Sequence, residues 1–468
     1  MLAAKPCGGL VRLASLLLVL TVAAPALAQQ SYKAPRTLKR TVDTVVLKGS
    51  VLGKAQRTPI SQLRVYALHS GFLRPITFQI DERDQSNTYC WTGGAKDRRR
   101  QDNDRGRMDS NDELVVLAKD LGDQALPFQL NMVPGASGFQ EVLITDPVDK
   151  GQAWIYVYRF PPRVVPGMSA DDYTSLQIKK HANGEQTHFW FGETFMYNND
   201  RSRKNAVRAT YLGLGAPGTR NFRGMPNLID STQVRAVVSF MWVTLVRQSN
   251  DITVDIGGVI DGPLRVIAEN QLAVRLALGY WVKAPNSYLI LWRNKMSMPT
   301  NANCPVNLDE SDDSSYTLCV DFHAQNHKGL KFFNSHNSKP VVIDGKTTPD
   351  EKKLNWAYPD WNCVYSPKGG MLSKFVIPDF LRKKKGSKLV YIDDAKHERD
   401  DDEDGLEFQK GAFGYNGYVM DMRGLKKGVY PGDYVVWYLP PGFKPGEEKA
   451  FLNEYDQPLQ GKPTKLSR

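Results

Sequence analysis

The fold is decided by residues 234–292, which contain the runs VRAVVSFMWVTLVR (234–247), ITVDIGGVI (252–260), LRVIA (264–268), LAVRLALGYWV (272–282) and YLILW (288–292). Each run is rich in Val, Ile, Leu and aromatic residues, and Gly, Pro, Asn or Asp stand between most of the runs. This composition predicts β-strands, because the i, i+3, i+4 spacing of amphipathic helices is scarce here. Five or more such strands in succession predict an antiparallel sheet system.

Shorter runs of the same kind lie on both sides of this region. Those that predict strands are residues 41–51, 63–68, 75–80, 114–118, 153–160 and 187–196. Residues 375–381, 388–392, 415–420 and 434–439 predict strands or short helices that return to the β core. We therefore expect a mainly β protein built of antiparallel β-sandwich domains, with a small amino-terminal sandwich and a larger second one.

The predicted domain organisation has four parts. Residues 1–28 are a signal peptide, and residues 29–160 are an amino-terminal β domain with an acidic loop, which ends where Pro161 and Pro162 stop a strand. Residues 161–440 are the larger β-sandwich domain, including an irregular excursion at 296–365 that is rich in Asn, Asp, Ser and Lys. Residues 441–468 are rich in Pro, Gly and Lys, which predicts an extended tail.

The first 28 residues predict export. Lys5 and Arg12 form a positive region, residues 13–22 are apolar, and residues 26–28 read ALA, the small-x-small pattern that signal peptidase cleaves. About ten apolar residues are too few to span a bilayer, and no later stretch reaches the ~18 that a spanning helix needs. We expect a periplasmic or extracellular protein with no membrane span after cleavage.

The chain is mildly basic. Its net charge of +11 becomes +9 without residues 1–28, because these carry Lys5 and Arg12 and no acidic residue. Basic clusters at 96–100, 201–204 and 382–385 would attract polyanions such as acidic glycans, lipopolysaccharide phosphates or nucleic acid. Solvated loop charge is the favoured interpretation, and no nucleic-acid partner is expected.

Four cysteines follow the predicted cleavage site, namely Cys90, Cys304, Cys319 and Cys363. An even number in an oxidising compartment predicts disulfides, and three pairings are possible. Cys304 with Cys319 closes a short polar loop and is the preferred pair, which leaves Cys90 with Cys363. The alternative is a zinc site that includes Cys319, Asp321, His323 and His327, but the cysteine spacing differs from that of structural zinc sites.

Two acidic loops resemble calcium-binding loops. Asp400, Asp402, Asp404 and Gly405 match the first half of such a loop, with Glu407 as the remaining candidate ligand. If calcium is present, it is expected to serve stability. The alternative for each loop is a solvated acidic segment.

The second loop lies at residues 102–112. With Gly106 at the sixth position of a calcium loop, Asn103, Asp109 and Asp112 fall at positions three, nine and twelve, while Arg105 occupies a position that should carry oxygen. Asp102, Asp104 and Asn111 add to the acidic and amide character of this loop.

The segment HFWFGETFMYNNDR, residues 188–201, is the candidate ligand site. On one continuous strand, Phe189, Phe191, Glu193, Phe195 and Tyr197 would share one face, and Trp190 and His188 would lie on the other. Aromatic rings stack on sugar C–H groups, and Glu193 or Arg201 would bond hydroxyls or neutralise a uronate. In a lyase, Tyr197 and His188 would exchange protons. The alternative is a core strand of a sandwich.

Common motifs of serine hydrolases, nucleotide enzymes, metalloproteases and c-type cytochromes are missing from the sequence. The leading hypothesis is an exported, non-enzymatic β-sandwich protein that binds a glycan or a cell-envelope partner. The alternatives are a secreted carbohydrate-active enzyme, either a polysaccharide lyase or a glycoside hydrolase, and an accessory subunit of an envelope complex. The accessory subunit would expose a broad apolar patch.

Overall fold

The computed structural model describes residues 32–93, 102–169, 171–182, 186–201, 209–219, 221–241, 243–275, 281–283, 287–310, 313–397 and 411–467. Among these residues, the first fourteen strands are β1 Thr44–Lys48, β2 Leu63–His69, β3 Phe72–Pro75, β4 Phe78–Asp81, β5 Glu113–Leu117, β6 Gly138–Thr145, β7 Gln152–Arg159, β8 Ser175–Lys180, β9 Gln186–Phe191, β10 Phe195–Arg201, β11 Ala209–Leu214, β12 Ile229–Phe240, β13 Val243–Gln248 and β14 Ile252–Asp261. The later strands are β15 Arg265–Arg275, β16 Trp281–Lys283, β17 Ser287–Trp292, β18 Lys295–Cys304, β19 Ser315–Phe322, β20 Lys331–Asn334, β21 Val341–Val342, β22 Asn362–Ser366, β23 Gly369–Val376, β24 Lys388–Asp394, β25 Ala412–Asp421, β26 Gly428–Leu439 and β27 Gln460–Ser467. The α-helices are α1 Pro127–Leu130, α2 Asp379–Arg382 and α3 Glu448–Asp456.

The mainly β, sandwich-like fold class is confirmed. The described strands form five sheets, ordered β1-β5-β4, β27-β6-β7-β2-β3, β11-β10-β9-β8, β13-β12-β19-β25-β24, and a ten-stranded sheet β14-β15-β17-β18-β26-β23-β22-β20-β21 in which β16 also pairs with β15. The second half of the chain contains the ten-stranded sheet and the five-stranded sheet β13-β12-β19-β25-β24. We call the latter the β19 sheet after its central strand.

The amino-terminal unit is a small sandwich. The sheet β1-β5-β4 packs on the sheet β27-β6-β7-β2-β3 through alternating residues that point inward, such as Val65 of β2, Leu114 of β5 and Ile155 of β7. Residues 114–117 of strand β5 are apolar on both faces, because Val115 and Leu117 on its other face pack on the ten-stranded sheet. Strands that are buried on both faces lack the alternation of polar and apolar residues.

Two predicted irregular regions are regular in the structure. The excursion at 296–365 contains most of β18 and the strands β19 to β21, and β22 begins within it. The residues after 440 are not an extended tail, because α3 packs Phe451 against the ten-stranded sheet and β27 pairs with β6 of the amino-terminal unit. Strand β27 thus joins a sheet whose other strands come from the start of the chain.

The predicted disulfides are wrong, since none of Cys90, Cys304, Cys319 and Cys363 is joined to another in a disulfide. The preferred pair is separated by the fold, because Cys304 ends β18 in the ten-stranded sheet and Cys319 lies in the β19 sheet. Cys304 donates its Sγ–H to the carbonyl of Val306 over 3.1 Å. Cys363 is a fully buried core residue, the usual behaviour of a cysteine that acts as a small hydrophobe.

Among the described residues, the helices are all too short or too polar to cross a membrane.

Candidate functional site

A cavity of about 430 Å³ lies between the ten-stranded sheet and the β19 sheet. Protein interiors are close-packed and contain few voids larger than a water molecule. A space of this size lies within the range of about 300–1,000 Å³ that small-molecule sites occupy. We therefore treat this cavity as the candidate binding site.

The cavity is lined by the inner faces of both sheets. Alternate residues Met296 and Met298 of β18 and Tyr316, Leu318 and Val320 of β19 line it. Strand β26 adds Tyr434, Val436 and Tyr438 in the same alternation. This period of two arises because successive side chains of a strand point to opposite faces. At the exposed part of the cavity, residues 300–303 of β18 all line it.

The walls are apolar and rich in methionine. Five methionines line the cavity, namely Met296, Met298, Met371, Met420 and Met422. Among the described residues that line it, none is acidic, basic, a histidine or a cysteine. Methionine side chains are flexible and polarisable, so they adapt to ligands of varied shape. The described walls are therefore suited to an apolar ligand.

The lining of the cavity has a buried part and an exposed, polar part, which we call the rim. Leu212 and Leu318 are buried, whereas Asn301 and Asn303 are exposed. Asn270, which lies on β15 and is mostly buried, also faces the cavity. Asparagine side chains both donate and accept hydrogen bonds, so this rim can hold a neutral polar group while the interior holds an apolar one.

Buried tyrosines add hydrogen-bonding groups to the apolar walls. Burial raises the pKa of Tyr316 to about 12 and raises the pKa of Tyr197, Tyr434 and Tyr438 above the ordinary value. These phenols therefore stay protonated at neutral pH and can donate hydrogen bonds. Tyr438 also stacks on Phe195, with ring centroids 3.8 Å apart.

The aromatic segment predicted as an open ligand platform is a hairpin instead of one strand. Strand β9 ends at Phe191 and β10 begins at Phe195, so Trp190 and Tyr197 become cross-strand partners on one face. The predicted placement of Trp190 and Tyr197 on opposite faces is therefore wrong. The chain reverses direction at residues 192–194, so the alternation of side chains along a single strand, which the prediction assumed, does not continue through the turn.

Most of the predicted ligand residues are core residues. Trp190 is 1% exposed, His188 2% and Tyr197 8%. Tyr197 reaches the cavity described above, whereas the structure describes only the backbone of Arg201. The segment thus contributes one described cavity residue and otherwise packs the core.

Glu193 lies in the turn of this hairpin and forms a separate polar cluster. Its carboxylate is 3.6 Å from Lys119 Nζ and 3.3 Å from Arg293 Nη1. Lys119 belongs to the amino-terminal unit and also lies 4.2 Å from the centre of the Tyr173 ring. Burial raises the pKa of the neighbouring Asp120. This cluster joins the two halves of the chain through opposite charges.

The histidine and aspartate side chains of the predicted zinc alternative do not converge on one point. His323 Nε2 is 3.4 Å from an oxygen of Asp230, and His327 Nε2 is 3.1 Å from the carbonyl of Pro226. Asp321 accepts backbone N–H groups from Phe322 and Phe413 at 3.0 Å each. Each of these side chains therefore serves a different local contact.

Of the two predicted calcium loops, the structure describes the one at residues 102–112. The loop with Asp400, Asp402, Asp404 and Glu407 lies outside the described residues. In the loop at 102–112, Asp102, Asp104 and Asp109 each place an oxygen within 4.8 Å of the others. Asp112, predicted as a ligand, instead accepts the backbone N–H groups of Arg83 and Asp109 at 2.9 and 2.8 Å.

An exposed apolar patch lies on the amino-terminal unit. Phe72, Phe128 and Met132 are each more than half exposed and line a shallow depression. Large exposed apolar side chains that lie together are typical of interaction surfaces.

No family model matches the chain, and no curated protein matches it. Two similar solved structures are an α-mannosidase from Enterococcus faecalis V583, with a TM-score of 0.40, and a glycosyl hydrolase family 38 protein from Enterococcus faecalis, with a TM-score of 0.38. Both are 10% identical to this chain and are matched over 92% of it. The chain spans less than half of these proteins, 45% of the first and 46% of the second. At this level of similarity they are carbohydrate-active neighbours and give no information on the site.

Proposed function

We propose that this chain is an exported β-sandwich protein that binds the acyl chain of a cell-envelope amphiphile between its two large sheets. The single observation that supports this proposal is the apolar cavity of about 430 Å³. Burial of methylene groups is favourable by roughly 0.8 kcal/mol each, so an apolar chain gains most from such walls.

The chemistry of the cavity favours an amphiphile over a free sugar. A sugar buried among Met296, Met298 and Val436 would lose hydrogen bonds to water without replacement, which is costly. An acyl chain makes no hydrogen bonds to water that burial would remove. Its polar end would lie at the rim, where Asn301 and Asn303 offer amide groups to a hydroxylated or amide head group.

Binding, and not catalysis, is the role that this site supports. General acid–base catalysis needs groups whose pKa lies near the working pH, and tyrosines are the titratable groups among the described lining residues. Burial raises the pKa of these tyrosines still further from neutrality. They are suited to orienting a ligand by hydrogen bonds.

The test is binding of a fluorescent long-chain fatty acid to the purified protein. Ala302 lies at the exposed part of the cavity, so Ala302→Trp should narrow the entrance with little effect on folding. Ala273→Trp is the matched control, because Ala273 is a half-exposed residue of the same sheet outside the cavity lining. We expect saturable binding that A302W weakens by about tenfold, or 1.4 kcal/mol, and A273W leaves unchanged. No saturable binding, or equal effects of both variants, would contradict the proposal.

A second candidate function, a carbohydrate-active enzyme or glycan-binding protein, is favoured by the cluster around Glu193. Lys119 and Arg293 beside it could engage the carboxylate of an acidic glycan, and Asp120 adds a carboxyl group of raised pKa. Calorimetric titration with acidic oligosaccharides, compared between the wild type and Glu193→Gln, separates this candidate from the first. A heat of binding that is lost in E193Q and unchanged in A302W would favour glycan binding.

A further inference from the structure

We propose that Asp102, Asp104 and Asp109 form a calcium site in the loop between β4 and β5. The three carboxylates come from one short segment, and one oxygen of each lies within 4.8 Å of the others. Oxygens that bind the same Ca²⁺ at about 2.3–2.6 Å are separated by at most about 5 Å, so this spacing fits a shared ion.

A second observation at the same place points to a ligand. Asp102 is 6% exposed, and its Oδ2 is buried without a hydrogen-bond partner among the described residues. A buried carboxylate oxygen that lacks a partner is costly unless a cation or a donor satisfies it. Ca²⁺ between Asp102, Asp104 and Asp109 would supply that partner.

The clustered side chains are three carboxylates from one loop, and Asp102 is the most buried of them. The site contains only hard oxygen donors among its clustered groups, which favours Ca²⁺ over softer transition metals.

The loop is held in place independently of an ion. Ile60 donates its backbone N–H to the carbonyl of Gly106 over 2.9 Å, and Arg57 donates to the carbonyl of Met108 over 2.7 Å. Asp109 uses its Oδ1 to accept the N–H groups of Asn111 and Asp112. Its second oxygen is thus available to the cluster, and the ligand set is partly preorganised.

The loop leads directly into Glu113 of β5, which contacts Arg265 of the ten-stranded sheet. An ion that orders the loop should therefore also stabilise the junction between the two halves of the chain. Anything that binds the native state and not the unfolded state raises the melting temperature.

The test is calorimetric and thermal titration of the full chain with CaCl₂, and with MgCl₂ in parallel. We expect binding with a Kd of about 10⁻⁴ to 10⁻³ M, the range of extracellular calcium modules, and a Tm that rises with Ca²⁺ and falls back with EDTA. Asp104→Asn, at a half-exposed position, should weaken Ca²⁺ binding by about tenfold with the fold intact by circular dichroism. Asp102→Asn should do the same. Asp171→Asn, at an exposed carboxylate elsewhere, is the control.

The double variant Asp402→Asn/Asp404→Asn distinguishes this site from the other acidic loop. If Ca²⁺ binding survives in D102N and D104N and is lost in the D402N/D404N variant, the proposal is wrong. Equal binding of Mg²⁺ and Ca²⁺, or absence of Ca²⁺ binding in the wild type, would also overturn it. These outcomes are independent of the acyl-chain titration.

Discussion

Arg265 donates its Nε–H to Oδ2 of Asp81 across 2.7 Å, at a point where both side chains are buried. Its Nη2 also donates to Glu113, and Gln79 accepts the backbone N–H groups of Leu264 and Arg265 at 3.0 Å. Burial lowers the pKa of Arg265, but the two carboxylates raise it above its ordinary value. A permanently charged guanidinium of the ten-stranded sheet is therefore held by carboxylates of the amino-terminal unit.

Substitution of this guanidinium should destabilise the whole protein. Arg265→Met leaves the buried carboxylate of Asp81 without its guanidinium partner, whereas Glu113 keeps its ion pair with Arg83. Loss of one member of a buried ion pair costs about 3–5 kcal/mol. Urea unfolding followed by tryptophan fluorescence measures this loss as a lower midpoint. Lys339→Met, which removes an exposed pair with Asp350, is the control and should leave the midpoint unchanged. Equal midpoints for R265M and the wild type would show that the junction does not depend on this ion pair.

The hairpin turn at Gly192 should tolerate no larger residue. A Cβ added at Gly192 would lie 2.2 Å from a ring carbon of Phe195 and 2.6 Å from the carbonyl oxygen of Arg293. Because the oxygen belongs to the backbone, Gly192→Ala should cost about 1–3 kcal/mol of stability. Thermal unfolding measures this effect, with Gly167→Ala as the control, since nothing lies within 4 Å of a Cβ added there. Similar Tm values for the two variants would contradict the close packing of Phe195 and Arg293 against the turn.

How much of the fold the sequence predicts depends on the polarity of individual strands. The apolar run at 153–160 predicts β7, and the run at 434–439 predicts the second half of β26, because alternation or continuous burial is visible in the residues themselves. The runs at 264–268 and 272–282 predict two strands, but one strand, β15, covers 265–275. The polar residues between the runs indicate a break, whereas Glu269 and Asn270 are buried within the strand.

The site is harder to predict than the fold. Met296, Met298, Thr300 and Ala302 alternate with polar residues, which is a strand signal, but the density of Asn and Ser around them favours an irregular excursion. A cavity depends on the distance between two sheets, and no local pattern encodes that distance. The acidic cluster is predictable as a loop rich in Asp, yet the choice of Asp102 and Asp104 over Asp112 depends on which carboxylates backbone N–H groups satisfy.

Asp321 should make the stability depend on pH. Burial raises the pKa of Asp321 to about 7, with further contributions from Asp230 and Asp393. The unfolded chain has a carboxyl pKa of about 3.9, so the folded state holds a proton that the unfolded state has released. The contribution to stability is full below about pH 4 and is lost as the pH rises to about 7, with a slope of at most about 1.4 kcal/mol per pH unit.

The variant Asp321→Asn removes this titration and keeps the fold contacts. Both backbone donors, Phe322 and Phe413, bond to Oδ1 of Asp321, and an asparagine retains that oxygen. In urea unfolding at pH 5, 6, 7 and 8, about the range in which the carboxyl ionises, D321N should gain stability relative to the wild type as the pH rises. Asp171→Asn, at an exposed site, should run parallel to the wild type. Parallel profiles for D321N and the wild type would contradict a buried, protonated Asp321.

The four cysteines should behave as two classes of thiol. Cys319 and Cys363 are buried, whereas Cys90 and Cys304 are partly exposed. Burial, with the nearby Asp102, Glu82 and other carboxylates, raises the pKa of Cys90 to about 11, so little thiolate exists at neutral pH.

Alkylation with iodoacetamide followed by mass spectrometry distinguishes the classes. In native protein we expect slow labelling of Cys90 and Cys304 that accelerates with rising pH, because the thiolate is the reactive form. Cys319 and Cys363 should be labelled only after unfolding in urea, without any reductant. A requirement for reductant before any of the four is labelled would show that disulfides are present. Fast labelling of Cys363 in native protein would contradict its place in one core cluster with Trp437.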